Sequence, residues 1–115
     1  MNRSSISGSF VVGNTTTNSV QLNSGTLMGV TITGSAITGT AMTFLVSNDG
    51  VNFYPLYNDS STEVSLTIAG SARSYNVTPM DFMPWGFVKA RLGTSASAVT
   101  QKISNQAVIF HTEMF

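Results

Sequence analysis

Apolar and polar residues alternate with a period of two along most of this chain. Met42, Phe44 and Val46 alternate with Thr43, Leu45 and Ser47. Val64, Leu66 and Ile68 alternate with Glu63, Ser65 and Thr67, and Val88, Ala90 and Leu92 with Phe87, Lys89 and Arg91. A period of two is the mark of a strand with one face in the core and one toward water. Strands are expected at Ser9–Val12, Ser19–Leu22, Leu27–Thr33, Ala41–Ser47, Phe53–Tyr57, Val64–Ala69, Ser74–Val77, Gly86–Leu92 and Ala107–His111. Turn chemistry separates them, as in Asn23-Ser24-Gly25, Asn48-Asp49-Gly50 and Gly93-Thr94-Ser95. Glycine supplies positive φ there, and Asn or Asp bonds back to its own backbone. Many short strands at this spacing predict an all-β fold, an antiparallel β-sandwich of about eight strands.

No segment has the spacing of an amphipathic helix. Ser35–Ala41, with Gly34 and Gly39 around it, reads as a loop or a single helical turn. Thr78–Trp85 carries two prolines and must leave the sheet, since proline cannot donate to a ladder. Its apolar residues are expected to cap one end of the sandwich. Residues 1–16 read as an N-terminal arm or extended segment, with the sandwich domain over 17–115. Met1–Gly8 has little of its own to bury.

Composition narrows the function. The 115 residues suffice for one domain. Charged residues are 9% of the chain, against roughly 25% in an ordinary soluble domain. Hydroxyls take their place, with 16 Ser and 15 Thr. The five basic and five acidic side chains cancel, so counterion release offers nothing and nucleic acid is a poor partner. Zero net charge also gives copies of the chain little mutual repulsion. Without cysteine there is no disulfide or thiolate metal site. No apolar run is long enough to cross a membrane, and the first residues lack the apolar core of a signal peptide.

The search for chemistry returns little. His111 is the sole histidine. No nucleophile elbow surrounds any serine, and the five carboxylates suggest no facing pair. The expectation is a non-enzyme with no catalytic residues, no cofactor and no metal. The sharpest local signal is structural: a hairpin around Asn48-Asp49-Gly50. Ser47 bonds the turn backbone, Asp49 forms an Asx-turn, Gly50 takes the left-handed position, and Phe53 meets Phe44 across the pair. The same stretch differs from the Asp-box of propellers, because Asp49 and Gly50 are adjacent and the element does not repeat. Trp85, Tyr57 and Phe82, with Tyr54, are candidate interface or ligand aromatics, such as a platform for sugar rings. The bland alternative has Trp85 plugging the end of the core beside Phe82 and Met83, and these apolar neighbours favour it.

The segments Thr17–Leu22, Leu27–Val30, Thr43–Phe53 with Pro55-Leu56, Phe87–Thr94 and Val99–Gln101 together resemble small β-sandwich head decoration or cement proteins of tailed bacteriophages. The most specific parts are Ser47-Asn-Asp-Gly50 and the strand end Lys89-x-Arg-x-Gly-Thr94. The Gly-rich stretch Thr31–Gly39 departs from that pattern. The resemblance implies a jelly-roll-like topology and a structural virion protein made in the host cytoplasm. It implies binding to the major capsid protein on the outer capsid surface, as a homo-oligomer with a trimer favoured. The alternative is a carbohydrate-binding or adhesive module on a phage head or tail.

Overall fold

The computed structural model describes residues 2–114. Nine strand segments follow one another: β1 (Asn2–Phe10), β2 (Val20–Gln21), β3 (Thr26–Ile32), β4 (Ala41–Ser47), β5 (Tyr54–Pro55), β6 (Ser65–Thr67), β7 (Arg73–Asn76), β8 (Phe87–Leu92) and β9 (Gln106–Met114). They form two antiparallel sheets. One has the order β1-β9-β3-β7, and the other β2-β8-β4 with β5 and β6 both on β4.

The pairings nest. β1 pairs with β9, β2 with β8, β3 with β7, and β4 with β5 and β6. This is a long antiparallel hairpin rolled up, and the contacts β3·β9 and β4·β8 close the roll. The fold is a jelly-roll sandwich. β5 and β6 lie end to end along β4, opposite its C-terminal and N-terminal halves. They are one edge strand interrupted by an excursion, so the nine segments fill eight positions. The excursion is pinched at its base by the Val64 N–H donating to the Leu56 carbonyl at 3.0 Å.

Alternation decides what fills the core. Met42, Phe44 and Val46 from β4, and Val88, Ala90 and Leu92 from β8, point between the sheets. Leu27, Val30, Ile32, Val108 and Phe110 meet them from the other side. The β3 pattern shifts between Leu27 and Val30 because the register slips there, a bulge. A Cβ on the adjacent Gly29 would lie 2.8 Å from the Tyr75 carbonyl oxygen, so glycine lets β7 approach.

Residues 2–10, set apart in the sequence as an arm, form the edge strand of the four-stranded sheet, in register with β9 from end to end. No boundary falls near residue 16: the Thr17 N–H donates to the Ala90 carbonyl at 2.9 Å, and Phe10 is wholly buried. The segment is held by its backbone ladder more than by its side chains. Gly8 occupies an inward position, and the Phe110 ring fills the space a side chain would take.

Residues 33–40 form a loop without a helical turn. The wholly buried Gln101 side chain anchors it. Its Oε1 accepts the Thr38 N–H at 3.0 Å, and its Nε2 donates to the Ala36 and Ser104 carbonyls at 2.8 and 2.9 Å.

Gly8→Ala tests whether β1 belongs to the cooperative unit. The new Cβ would sit 2.8 Å from Phe110 Cε2. We expect a loss of about 1–3 kcal/mol in urea unfolding, the usual cost of overpacking. A loose arm would give no change.

Candidate functional site

The turn after β4 is built from its own side chains. Ser47 Oγ donates to Asp49 Oδ1 at 2.8 Å and accepts the N–H groups of Asp49 and Gly50 at 3.2 and 3.0 Å. Asp49 Oδ1 accepts the N–H groups of Val51 and Asn52, both at 2.9 Å, and Oδ2 accepts Asn52 Nδ2 at 3.0 Å. Gly50 has φ of 75°, the left-handed region. The backbone N–H groups of Asn52 and Val51, then the side chains of Ser47 and Asn52, hold the Asp49 carboxyl well below the usual carboxylate range. Ser47, Asp49 and Gly50 are thus brought together, and their polar groups are spent on each other and on the turn backbone.

Phe53 and Phe44 do not meet. The Leu56 N–H donates to the Phe44 carbonyl, which aligns Phe44 with Leu56 and places Phe53 on the opposite face. Phe53 lies outside, under Lys89 Nζ at 4.5 Å from the ring centroid, a cation–π contact.

The aromatics divide. Phe82 is a core residue, fully buried and edge-on to Phe44 with centroids 5.1 Å apart. It is therefore corrected from the candidate ligand aromatics. The 3₁₀ turn Pro79–Asp81 swings its ring inward, and its N–H donates to the Pro79 carbonyl at 3.0 Å. The plug is Phe82 rather than Trp85, and Met80 and Met83 stay exposed. Trp85 packs half-buried against the core margin. It forms the wall between two shallow clefts, one reaching Tyr54 and Asn52, the other Tyr57 and Asp81. Tyr54 is 67% exposed and Tyr57 48%, with the Tyr57 hydroxyl 3.0 Å from Ser95 Oγ. Trp85, Tyr54 and Tyr57 therefore gather along the interrupted edge.

The outer face of the five-stranded sheet holds a shielded ion pair. Arg91 bonds Glu63, with side chains only 9% and 14% exposed. Arg91 Nε also donates to Thr43 Oγ1 at 3.1 Å. Glu63 Oε1 accepts the Ser95 N–H at 3.1 Å. Glu63 sits in the excursion between β5 and β6, which folds back to cover Arg91.

The outer face of the four-stranded sheet is almost uncharged. Ser5, His111, Thr31 and Ser74 form a row across all four strands. His111 Nδ1 is 3.2 Å from Ser5 Oγ and Nε2 is 2.7 Å from Thr31 Oγ1, which is 2.8 Å from Ser74 Oγ. Ser7, Ser9, Thr33, Ala107 and Ile109 extend this face, and Arg3 pairs with Glu113 at 3.7 Å at one end. In the sequence His111 stands without a nearby partner. Its partners are legible only once the register places Ser5 and Thr31 beside it. Both imidazole nitrogens face hydroxyls, and no carboxylate is bonded to the ring among the described residues. No cluster of three His, Asp or Glu side chains suited to a metal occurs among them either. Nor is any helix of theirs long and apolar enough to cross a membrane.

A jelly-roll sandwich with one neutral hydroxyl face and one aromatic edge is the class these features define. No protein-family model matches the chain, and no curated protein matches it. Among solved structures, the crystal structure of SPBc2 prophage-derived protein YomS is similar, with 9% identity, a TM-score of 0.49, and 97% of this chain and 95% of that chain covered. A structure described as Bacillus endospore appendages forming a novel family of disulfide-linked pili has 17% identity, a TM-score of 0.36, and coverage of 99% and 87%. Likenesses this distant carry no functional assignment.

Two stability measurements separate the roles described. Phe82→Ala should cost about 3–5 kcal/mol and Trp85→Ala less than half of that, because only Phe82 is fully enclosed. Equal losses would return Trp85 to the role of plug. For Asp49, folding lowers the carboxyl from 3.8. A lowered value means stability that is fully present above the unfolded value and lost as pH falls toward the folded one. The urea midpoint should therefore drop between about pH 6 and about pH 2.5, and drop less in Asp49→Asn.

Proposed function

We propose that this chain is a structural virion protein, a decoration or cement protein that binds the outer surface of a tailed-phage capsid and stabilises it. The major capsid protein is its partner, and the role is non-enzymatic. The observation that carries this reading is the outer face of the four-stranded sheet. It is lined by small hydroxyl and aliphatic residues, and its imidazole is already partnered. Such a face docks by shape and hydrogen bonds, without the desolvation cost of unpaired charge. The resemblance of the Ser47–Gly50 hairpin and the Lys89–Thr94 strand end to phage decoration proteins supports the same reading. So does zero net charge, which suits a lattice component more than a free protein. A trimer is the favoured oligomer, since subunits on a symmetric shell take the symmetry of their site.

The test is occupancy. Mass spectrometry of purified particles should find the chain in many copies, and particles stripped of it should open at lower temperature. Ala107→Glu, exposed on this face near the start of β9, should lower particle affinity at least tenfold, about 1.4 kcal/mol. Absence from mature particles would falsify the proposal.

Trp85, Tyr54 and Tyr57 support a second reading, a carbohydrate-binding or adhesive module on a phage head or tail. It requires glycan-array binding that Trp85→Ala removes while the fold is kept. No binding across a broad array rules it out.

A further inference from the structure

We propose that β1 is the seam along which two copies of this chain pair, antiparallel about a two-fold axis, joining their four-stranded sheets into one of eight strands. This goes beyond capsid docking, which uses the face of the sheet rather than its edge, and the two-fold pair is a contact separate from the trimer favoured on the shell.

The other edges are guarded. β7 is four residues long and β2 two. The β5–β6 edge is broken by the excursion and carries Pro55. β1 has none of these protections among the described residues. It runs nine residues without a proline or a register shift, and Arg3 is its sole charge. A long, unbroken, nearly uncharged edge is a template for strand addition.

The phase of the ladder shows which groups are open. The Ser9 N–H donates to Asn18 Oδ1 at 3.0 Å, so residue 9 faces away from β9. Antiparallel pairs alternate, so Arg3, Ser5 and Ser7 face the same way. β9 is the one strand that β1 pairs with among the described residues, so their N–H and C=O groups point away from the ladder, and no backbone group of a turn or loop bonds them. Beyond Ser7 the edge is closed by Asn18 and by the bridge from Phe10 to Thr17.

An open run of 3, 5 and 7 fixes the register of a two-fold pair on its middle residue. Ser5 then lies opposite the partner's Ser5, and each Arg3 opposite the partner's Ser7. No like charges face each other, whereas a register centred on Arg3 would oppose two guanidinium groups. The central register also carries the Ser5–His111–Thr31–Ser74 row across the seam without a break. The contact is short, so the pair is weak in free solution and gains strength where copies are held side by side.

Sedimentation of the pure full chain should show reversible dimers between about 10 μM and about 1 mM. Amide exchange at Arg3, Ser5 and Ser7 should slow as concentration rises, while Ser9 stays unchanged. Ser5→Pro removes one open N–H at an edge position that tolerates proline, and should weaken dimerisation at least tenfold. Ser5→Lys keeps the N–H but opposes two ammonium groups at the seam, and should do the same. Thermal unfolding of each variant checks that the monomer is intact. A chain monomeric at about 1 mM overturns the proposal, as do dimers unaffected by both folded variants. So does protection of these amides in particles but never in the pure protein, which would make the occupant another chain's strand.

Discussion

The pairing of β9 with both β1 and β3 is the constraint on which the rest depends. β9 contributes Val108 and Phe110 to the core and holds the four-stranded sheet together. Without it, β1 has no ladder and β3 keeps only the short β7. The core would then lose most of its cover on one side. The pairing is also the most distant in the chain, since the Ser5–His111 contact spans 106 positions. Closing such a loop costs entropy before any contact offsets it, which marks this topology as slow to fold. Gly8 is part of the same constraint, because the Phe110 ring occupies the room it leaves.

Hydroxyls and amides do the work that charges do elsewhere. Thr43, Ser47, Gln101, Gln106 and Thr112 are buried, and no buried side-chain polar atom among the described residues lacks a partner. Neutral groups cost less to desolvate than ions, so a network of this kind adds order without a large penalty. The shielded ion pair of Arg91 with Glu63 is bonded further by Thr43 and Ser95. Such further bonding is what a low-dielectric pair requires.

The strands that follow simple alternation were legible in the sequence. Residues 41–47 and 86–92 lie within a residue of β4 and β8, and their inward faces are those the pattern assigns, while residues 27–33 match the span of β3 but not a simple period, because of its bulge. β1 was not legible, because a glycine replaces an inward apolar residue and serines fill the outward positions. A packing exchange with Phe110 had erased the period. The aromatic edge was half legible. Tyr57 and Trp85 do stand together, but Phe82 turns inward on a 3₁₀ turn that two prolines announce and do not aim. The hydroxyl row was invisible for a different reason. Each of its members lies on a separate strand, so it exists only as a consequence of register.

The two surfaces of interest belong to different sheets. The hydroxyl face lies on the outside of the four-stranded sheet, and Trp85, Tyr54 and Tyr57 follow the edge of the five-stranded one. The two share no residues, so a partner on the first would leave the second in solvent. The rigid sandwich between them is the reason. Its core is filled from both sheets by closely packed side chains. That packing holds the hydroxyl face and the aromatic edge on separate sheets of one sandwich.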